Sequence, residues 1–346
     1  MELKEIFGSE PRKLGYRTYE DGPMPASKVR VKVEHAAPKH GTEFTHFRGV
    51  DPFMENRYDE EWQCFLPDDD AKARPFSFRP GNMWVGTVQE IGTDVKADLH
   101  VGQRVTGYGP LKPTHTTEPG NCRPMPEGMT WKQAMCYDPA QFALGGIRDG
   151  HVRLGDNVAV FGLGAIGLIA AQMAKLSGAA MVIVLDPIEK RRKAALENGA
   201  DVALDPTACD AGLEIRRLTE KRGADVILET SGSYPALQAA IRGCAYEGNI
   251  AVVGWYKECH GVLDLGREAH FNQPNILISR ACSEPNRDHP RWNFDRLCRA
   301  SWNMLSKGLL KCENIVDPVV PFDEAAEMYM RIEQNPSESV KMGVDF

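Results

Sequence analysis

Asn157-Val158-Ala159-Val160-Phe161-Gly162-Leu163-Gly164-Ala165-Ile166-Gly167 is the stretch that decides the fold. Its first five residues read as a short buried strand, and its last six form a G-x-G-x-x-G turn. Leu163 to Ser177 continues as a helix, and Met181-Val182-Ile183-Val184-Leu185 is a second buried strand ending at Asp186. Asp186 lies 19 residues past Gly167, where a dinucleotide fingerprint places its acid. Each position has a physical reason. Gly162 permits the tight turn, Gly164 lets backbone approach a pyrophosphate, and Gly167 allows close helix–strand packing. The helix then offers free N–H groups to phosphate oxygens. Asp186 is suited to accept from the ribose hydroxyls, and its charge repels a 2′-phosphate, so NAD is expected over NADP. Lys190, Arg191 and Arg192 nearby temper that preference.

Outward from this core the same alternation continues. Glu189–Asn198 reads as a helix closed by Gly199, Val202–Leu204 as a strand, and Ala224–Glu229 as a strand. Tyr234–Cys244 reads as a helix and Asn249–Gly254 as a strand. Strands alternating with helices predict a doubly wound parallel sheet covered on both faces. Residues before about 138 differ. Val29–Glu34, Val85–Gly92 and Gln103–Tyr108 are short strands separated by Gly and Pro, which predicts a barrel-like β domain. Residues 51–78 carry Asp68-Asp69-Asp70 and scattered aromatics, and are expected to form an inserted surface loop or lid. The end of the chain adds a strand at Asn275–Ser279, a helix at about Asn293–Lys307 and a closing helix after Phe322.

Composition narrows the function. Of 346 residues, 42% are hydrophobic and 26% charged, so the chain is neither disordered nor fibrous. Forty-eight acidic against 41 basic residues, with no basic tract, give no electrostatic footprint for nucleic acid or an anionic membrane. Met1-Glu2-Leu3-Lys4-Glu5 is no apolar leader, and Val158–Ala174 is too short and Gly-rich to span a bilayer. Nine scattered cysteines without Cys-x-x-Cys argue against a disulfide framework and for a reducing, cytoplasmic compartment.

From Val29 onward the chain resembles the medium-chain dehydrogenase/reductase superfamily, in its zinc alcohol dehydrogenase-like group. The marks are Val31-Lys32-Val33 leading to His40-Gly41-Thr42-Glu43, then Gly102-Gln103-Arg104-Val105, then the Gly162–Gly167 turn. Asp186 with Arg191, Gly223-Ala224-Asp225-Val226, Glu229-Thr230-Ser231-Gly232 and Pro321-Phe322-Asp323-Glu324-Ala325-Ala326-Glu327 complete them. The resemblance implies a GroES-like β-barrel catalytic domain from residues 1–138 and 272–346, around a Rossmann domain at 139–271. It implies hydride transfer between a nicotinamide cofactor and a carbonyl carbon, and a homodimer or homotetramer. It implies cofactor contacts from Gly162, Gly164, Ala165, Ile166, Gly167, Asp186, Arg191, Ser231, Gly254 and Trp255.

The departures are as informative. Where zinc-bearing members have Cys, Gly-His-Glu and a Glu or Cys before Pro, this chain has His40, Gly81-Asn82-Met83 and Asp138-Pro139. An amide oxygen is a poor zinc ligand, so no catalytic zinc is expected. The structural-zinc lobe near 108–125 holds only Cys122, so none is expected there either. Within the superfamily the pattern is similar to the bacteriochlorophyllide-dehydrogenase-like subgroup, which also lacks the zinc ligands.

Without zinc, His40 is the candidate base, because an imidazole titrates near neutrality. Asp138 is the candidate to orient it, Thr42 to relay the hydroxyl proton, and Asn82 to hydrogen-bond a substrate hydroxyl. Glu43 is an alternative carboxylate that the family pattern makes structural. His46, Trp84, Tyr108 and His115 are candidates to line the pocket, and Trp255 and Tyr256 to pack on the cofactor. The expected activity is oxidation of a secondary alcohol on a polyol, sugar, cyclitol or similar ring. The alternatives are an enone or quinone-type reductase, a zinc alcohol dehydrogenase with atypical ligands, and a catalytically silent dinucleotide-binding protein. The expected partner is a small molecule.

Overall fold

The computed structural model describes residues 3–68, 70, 74–257 and 261–346; Met1, Glu2, Asp69 and one of the nine cysteines, Cys259, lie outside the described residues. In chain order the elements begin with β1 (Leu3–Glu10), β2 (Lys13–Tyr19), β3 (Val29–Ala37), α1 (His40–Phe47), β4 (Asn56–Asp59) and β5 (Cys64–Pro67). There follow β6 (Met83–Ile91), β7 (Arg104–Tyr108), β8 (Thr114–Thr117), β9 (Arg123–Pro124) and α2 (Trp131–Met135). Next come α3 (Tyr137–Asp149), β10 (Asn157–Phe161), α4 (Ala165–Leu176), β11 (Met181–Leu185), α5 (Glu189–Glu197) and β12 (Val202–Leu204). Then follow α6 (Ala211–Leu218), β13 (Ala224–Glu229), α7 (Tyr234–Gly243), β14 (Cys244–Val252), α8 (Glu268–Asn272), β15 (Asn275–Ile278) and α9 (Phe294–Ser306). The chain closes with β16 (Val316–Pro321), α10 (Ala325–Gln334) and β17 (Lys341–Asp345). Two compact units result, one from Met1–Met135 with Asp317–Phe346, the other from Cys136–Val316.

The first unit is built on β3. Val29, Val31 and Val33 alternate with polar residues and are buried on one face, as the period-2 pattern requires. Each valine so buried contributes about 1.5–3 kcal/mol. β3 pairs antiparallel with β6 along one edge, and its other edge is shared between β8 at Val29–Lys32 and β17 at His35–Ala36. Register shifts at Arg30/Val31 and Val33/His35 mark bulges, which bend and twist the sheet. The sheet runs β16-β17-β3-β6-β7-β9, with β8 added on β3. Its core gathers Val31, Phe47, Phe78, Trp84 and Tyr329. The hairpin β1–β2 and strands β8 and β9 are absent from the sequence reading. Residues 51–78, expected as a loop or lid, contain the antiparallel hairpin β4–β5.

The second unit is a six-stranded parallel sheet in the order β12-β11-β10-β13-β14-β15. β10 and β11 are apolar almost throughout, as strands covered on both faces must be. Strand order reverses between β10 and β13, so the crevice for a ligand lies beyond their carboxyl ends. Met173 on α4 is core, at 2% exposure. The expected domain limits need correction at both joins. Residues 272–316 belong to this unit, because β15 extends its sheet from β14 and α9 packs on α3. The first join falls at Cys136, so Asp138 opens α3 of this unit.

Candidate active site

The nucleotide half is formed by the second unit alone. Gly162 has φ +83°, and a Cβ there would lie 2.8 Å from Ser231 Cα. A Cβ on Gly167 would stand 1.8 Å from the Gly162 carbonyl oxygen. Both glycines are therefore forced by packing. Gly164 differs, since a Cβ there would meet nothing within 4 Å. The space beside it lies at the N-terminus of α4 that Ala165 and Ile166 begin, where the first N–H groups of the helix have no partner within it. Asp186, 3% exposed, anchors the turn. Its Oδ2 accepts from Leu163 N–H (2.7 Å) and its Oδ1 from Ile188 N–H (2.8 Å). Arg191 Nη1 lies 3.8 Å from Asp186 Oδ2, and Arg192 donates to the Asp186 carbonyl at 2.7 Å. Arg191 thus faces the Asp186 carboxylate, while Arg192 holds its main chain and pairs with Asp205 at 3.2 Å.

The opposite wall is organised by residues without an assigned role in the sequence reading. Thr230 Oγ1 donates to the carbonyls of Phe161 and Gly162 at 3.0 and 2.7 Å, tying the loop after β13 to the glycine turn. Glu229, fully buried at the end of β13, accepts from Ser231 N–H (2.8 Å), Ser231 Oγ–H, Gly232 N–H (3.2 Å) and Tyr256 Oη–H (2.7 Å). Its main-chain carbonyl accepts from Val253 and Gly254 N–H at 2.8 and 2.9 Å. Burial raises the Glu229 carboxyl above the usual range, and these hydrogen bonds oppose the shift. The loops bearing Ser231 and Gly254–Trp255 are thus held to one carboxylate. Trp255 is 48% exposed, with Lys257 Nζ 4.8 Å from its ring centre.

The first unit holds a second group of candidate residues. His40 opens α1, stacked on Phe44 (5.0 Å between ring centres) and edge-on to Tyr329 (5.5 Å). Glu43 Oε1 reaches back to the Lys39 N–H at 2.7 Å, closing the first turn that also carries Thr42. The same oxygen accepts from Gly81 N–H at 3.4 Å, and Oε2 accepts from Tyr329 Oη–H at 3.1 Å. Burial raises this carboxyl, while the Lys39 amide and the charge of Lys341 act against it. Lys341 Nζ donates to the Pro38 carbonyl at 2.7 Å. Asn82 N–H donates to the Ala37 carbonyl at 3.2 Å, and its buried Oδ1 has no hydrogen-bond partner among the described residues. The unit therefore brings together His40, Thr42, Glu43 and Asn82. Glu43 spends its oxygens holding the His40 and Asn82 segments in register, which is a positioning task. Asp138, 6% exposed, is in the other unit.

Two expected pocket residues are core. Trp84 and His115 stack at 5.2 Å, and burial lowers the His115 imidazole to about 3, so it is neutral. His46 stacks on Phe76 instead, and Tyr108 is 40% exposed. Among the described residues no three His, Cys, Asp or Glu side chains gather as a metal-binding group. Cys122, in the stretch expected to lack a zinc lobe, has its thiol raised to about 11 by burial. All eight cysteines that are described are free thiols. No described helix is long and apolar enough to cross a membrane.

Comparison with known proteins agrees with this layout. Residues 165–291 match the family model described as zinc-binding dehydrogenase. The chain is 48% identical to D-guloside 3-dehydrogenase of Escherichia coli (strain K12), over 99% of this chain and 100% of the relative. It is 32% identical to sorbitol dehydrogenase of Bacillus subtilis (strain 168), over 38% of this chain and 37% of that one. The fold is shared with 2R,3R-butanediol dehydrogenase from Bacillus subtilis, with a TM-score of 0.77, 20% identity and 99% of each chain covered.

Proposed function

The chain belongs to the medium-chain dehydrogenase/reductase superfamily and is an oxidoreductase acting on CH–OH groups; on that premise we propose that it oxidises the 3-hydroxyl of a sugar glycoside, with NAD as acceptor and without a catalytic zinc. The observation that carries the substrate is the 48% identity to D-guloside 3-dehydrogenase along 99% of the chain. NAD, when bound, would supply the acceptor for the hydride that leaves the carbinol carbon. The chain supplies the rest. The glycine turn and α4 take the pyrophosphate, and Asp186 takes the ribose hydroxyls and disfavours a 2′-phosphate. His40 removes the hydroxyl proton as hydride leaves, with Thr42 as relay, so alcohol becomes ketone and the imidazole holds the proton. The unpartnered Asn82 Oδ1 accepts from a sugar hydroxyl and fixes the ring.

The donor set does not fit a catalytic zinc. The family's thiolate is replaced by His40, a second imidazole by the amide of Asn82, and Asn82 brings no charge. No step here runs through a metal. The free thiols suit a reducing, cytoplasmic compartment. The outer edge of β15, with Ile276 and Ile278 39% and 65% exposed, suits pairing with a second copy in a homodimer or homotetramer. The test is elemental analysis of the purified protein, with NAD and NADP titrated on the same sample. Turnover of methyl D-guloside, free hexoses and polyols is then followed as NADH formation. Tight NAD binding, EDTA-insensitive turnover and a 3-keto product are expected. Stoichiometric zinc whose removal abolishes turnover overturns the zinc-free assignment, and no NADH from any glycoside overturns the substrate.

A further inference from the structure

Hairpin β4–β5 carries aromatic side chains that the core does not use. Tyr58 and Phe65 are directly opposed across the two strands and meet edge-to-face at 5.4 Å. Phe53 packs on Phe65 at 5.2 Å from the turn that precedes β4. These three are 45%, 47% and 46% exposed in the order Phe53, Tyr58, Phe65, and Trp62 at the tip is 73% exposed. None belongs to the core of the unit. A hairpin of two four-residue strands is marginal by itself, so an aromatic face left in water needs an occupant.

The backbone holds this face ready. Asp59 Oδ1 accepts from Glu61 and Trp62 N–H at 3.1 and 3.0 Å, and Arg57 pairs with Asp59 Oδ2 at 2.9 Å. At the root, Asp68 N–H donates to the Glu55 carbonyl at 3.0 Å. Asp51 accepts from Phe53 N–H at 2.8 Å and stands 3.9 Å from His46 Nδ1 on α1, the helix that His40 opens. The platform is therefore rooted on the element that carries the proposed base.

Size and charge select the occupant. Four residues at about 3.4 Å, across two strands about 4.8 Å apart, give a face of order 10² Å². A stable protein partner needs about 800 Å². Residues 51–68 hold six carboxylates (Asp51, Glu55, Asp59, Glu60, Glu61, Asp68) against Arg57 alone. That charge repels nucleic acid, anionic lipid and the same hairpin of a second copy. A small, neutral ring fits: its C–H face stacks on the aromatics. We propose that this hairpin is a binding site for the aglycone of a glycoside, and selects substrates whose aglycone is itself a ring. This rests on the glycoside assignment above.

The test compares methyl with 4-nitrophenyl D-guloside as substrates of the full-length protein and of Trp62→Ala and Phe65→Ala. For the wild type we expect a KM about three- to tenfold lower for the nitrophenyl compound. Each variant loses that preference by raising KM for the nitrophenyl compound alone, with kcat, NAD affinity and melting temperature unchanged. Turnover of both compounds without a ring preference, or an equal effect of each variant on both, overturns the aglycone site and leaves the glycoside assignment standing. A change of particle mass in Trp62→Ala overturns it in favour of an interface between copies. No turnover of either compound overturns the glycoside assignment, and the aglycone site falls with it.

Discussion

Replacing Glu229 separates a holding carboxylate from a reacting one. In Glu229→Ala the Ser231 and Gly232 N–H groups lose their acceptor, while Tyr256 Oη–H keeps a second acceptor in the Ser233 carbonyl at 3.2 Å. Ser231 is exposed and Gly232 half-buried, so water can reach both donors, and two lost bonds at about 0.5–1.5 kcal/mol each predict a loss of about 1–3 kcal/mol. Glu229→Gln is milder. Its amide oxygen can serve Ser231, and its NH2 can donate to a turned Tyr256 hydroxyl, leaving only the long Gly232 bond unmade. The pH dependence has a fixed sign. Burial raises the folded carboxyl above the unfolded value of 4.5, so between the two the folded protein binds more protons. Wild-type stability therefore falls as pH rises through that window, then levels. Glu229→Gln lacks this fall, so it gains on wild type above the window and loses that gain below about pH 4.5. Urea melts from pH 4 to 8 and NAD titration are the assays. Glu229→Ala should weaken NAD at least tenfold, because the loops of Ser231 and Gly254 lose their shared anchor. Wild-type NAD affinity and urea midpoint in Glu229→Ala, or an unchanged pH slope in Glu229→Gln, would refute the reasoning.

Gly164→Val should fold, since its Cβ meets open space, yet weaken NAD more than tenfold in the same titration; Gly162→Val should instead fail to fold, at φ +83° and 2.8 Å from Ser231 Cα. Asp186→Asn keeps an acceptor for Leu163 or Ile188 but loses the charge, so the NAD:NADP preference measured as a ratio of kcat/KM should drop at least tenfold. His40→Ala should lower kcat about 10²–10⁴-fold with NAD affinity intact; kcat within threefold of wild type would remove His40 from proton transfer.

The glycine turn after β10 was legible because its constraints are local. Gly162, Gly164 and Gly167 answer to one turn, and Asp186 follows one helix and one strand later, so spacing alone places them. The limits of the units were not, because β15 joins its sheet by pairing that no short window of sequence reports. The hairpin β4–β5 hid for a similar reason: strands of four residues among Asp, Glu and Pro look like loop until Tyr58 is seen opposite Phe65.

The carboxylates show where sequence reading stops in the site itself. Glu43 sits beside the proposed base and reads as an acid available for chemistry. Its oxygens are taken by donors at Lys39, Gly81 and Tyr329, the last arriving from α10 near the other end of the chain. Glu229 ends an apolar strand, where a charge is costly unless something needs it. What needs it are donors on two loops that meet only at the carboxyl ends of β13 and β14. Glu229 is buried and Glu43 half-buried, both carboxyls are raised by desolvation, and both join backbone segments that carry candidate site residues. Burial and a raised carboxyl alone would have marked either as a candidate acid. The donors that each already satisfies assign both carboxylates to holding.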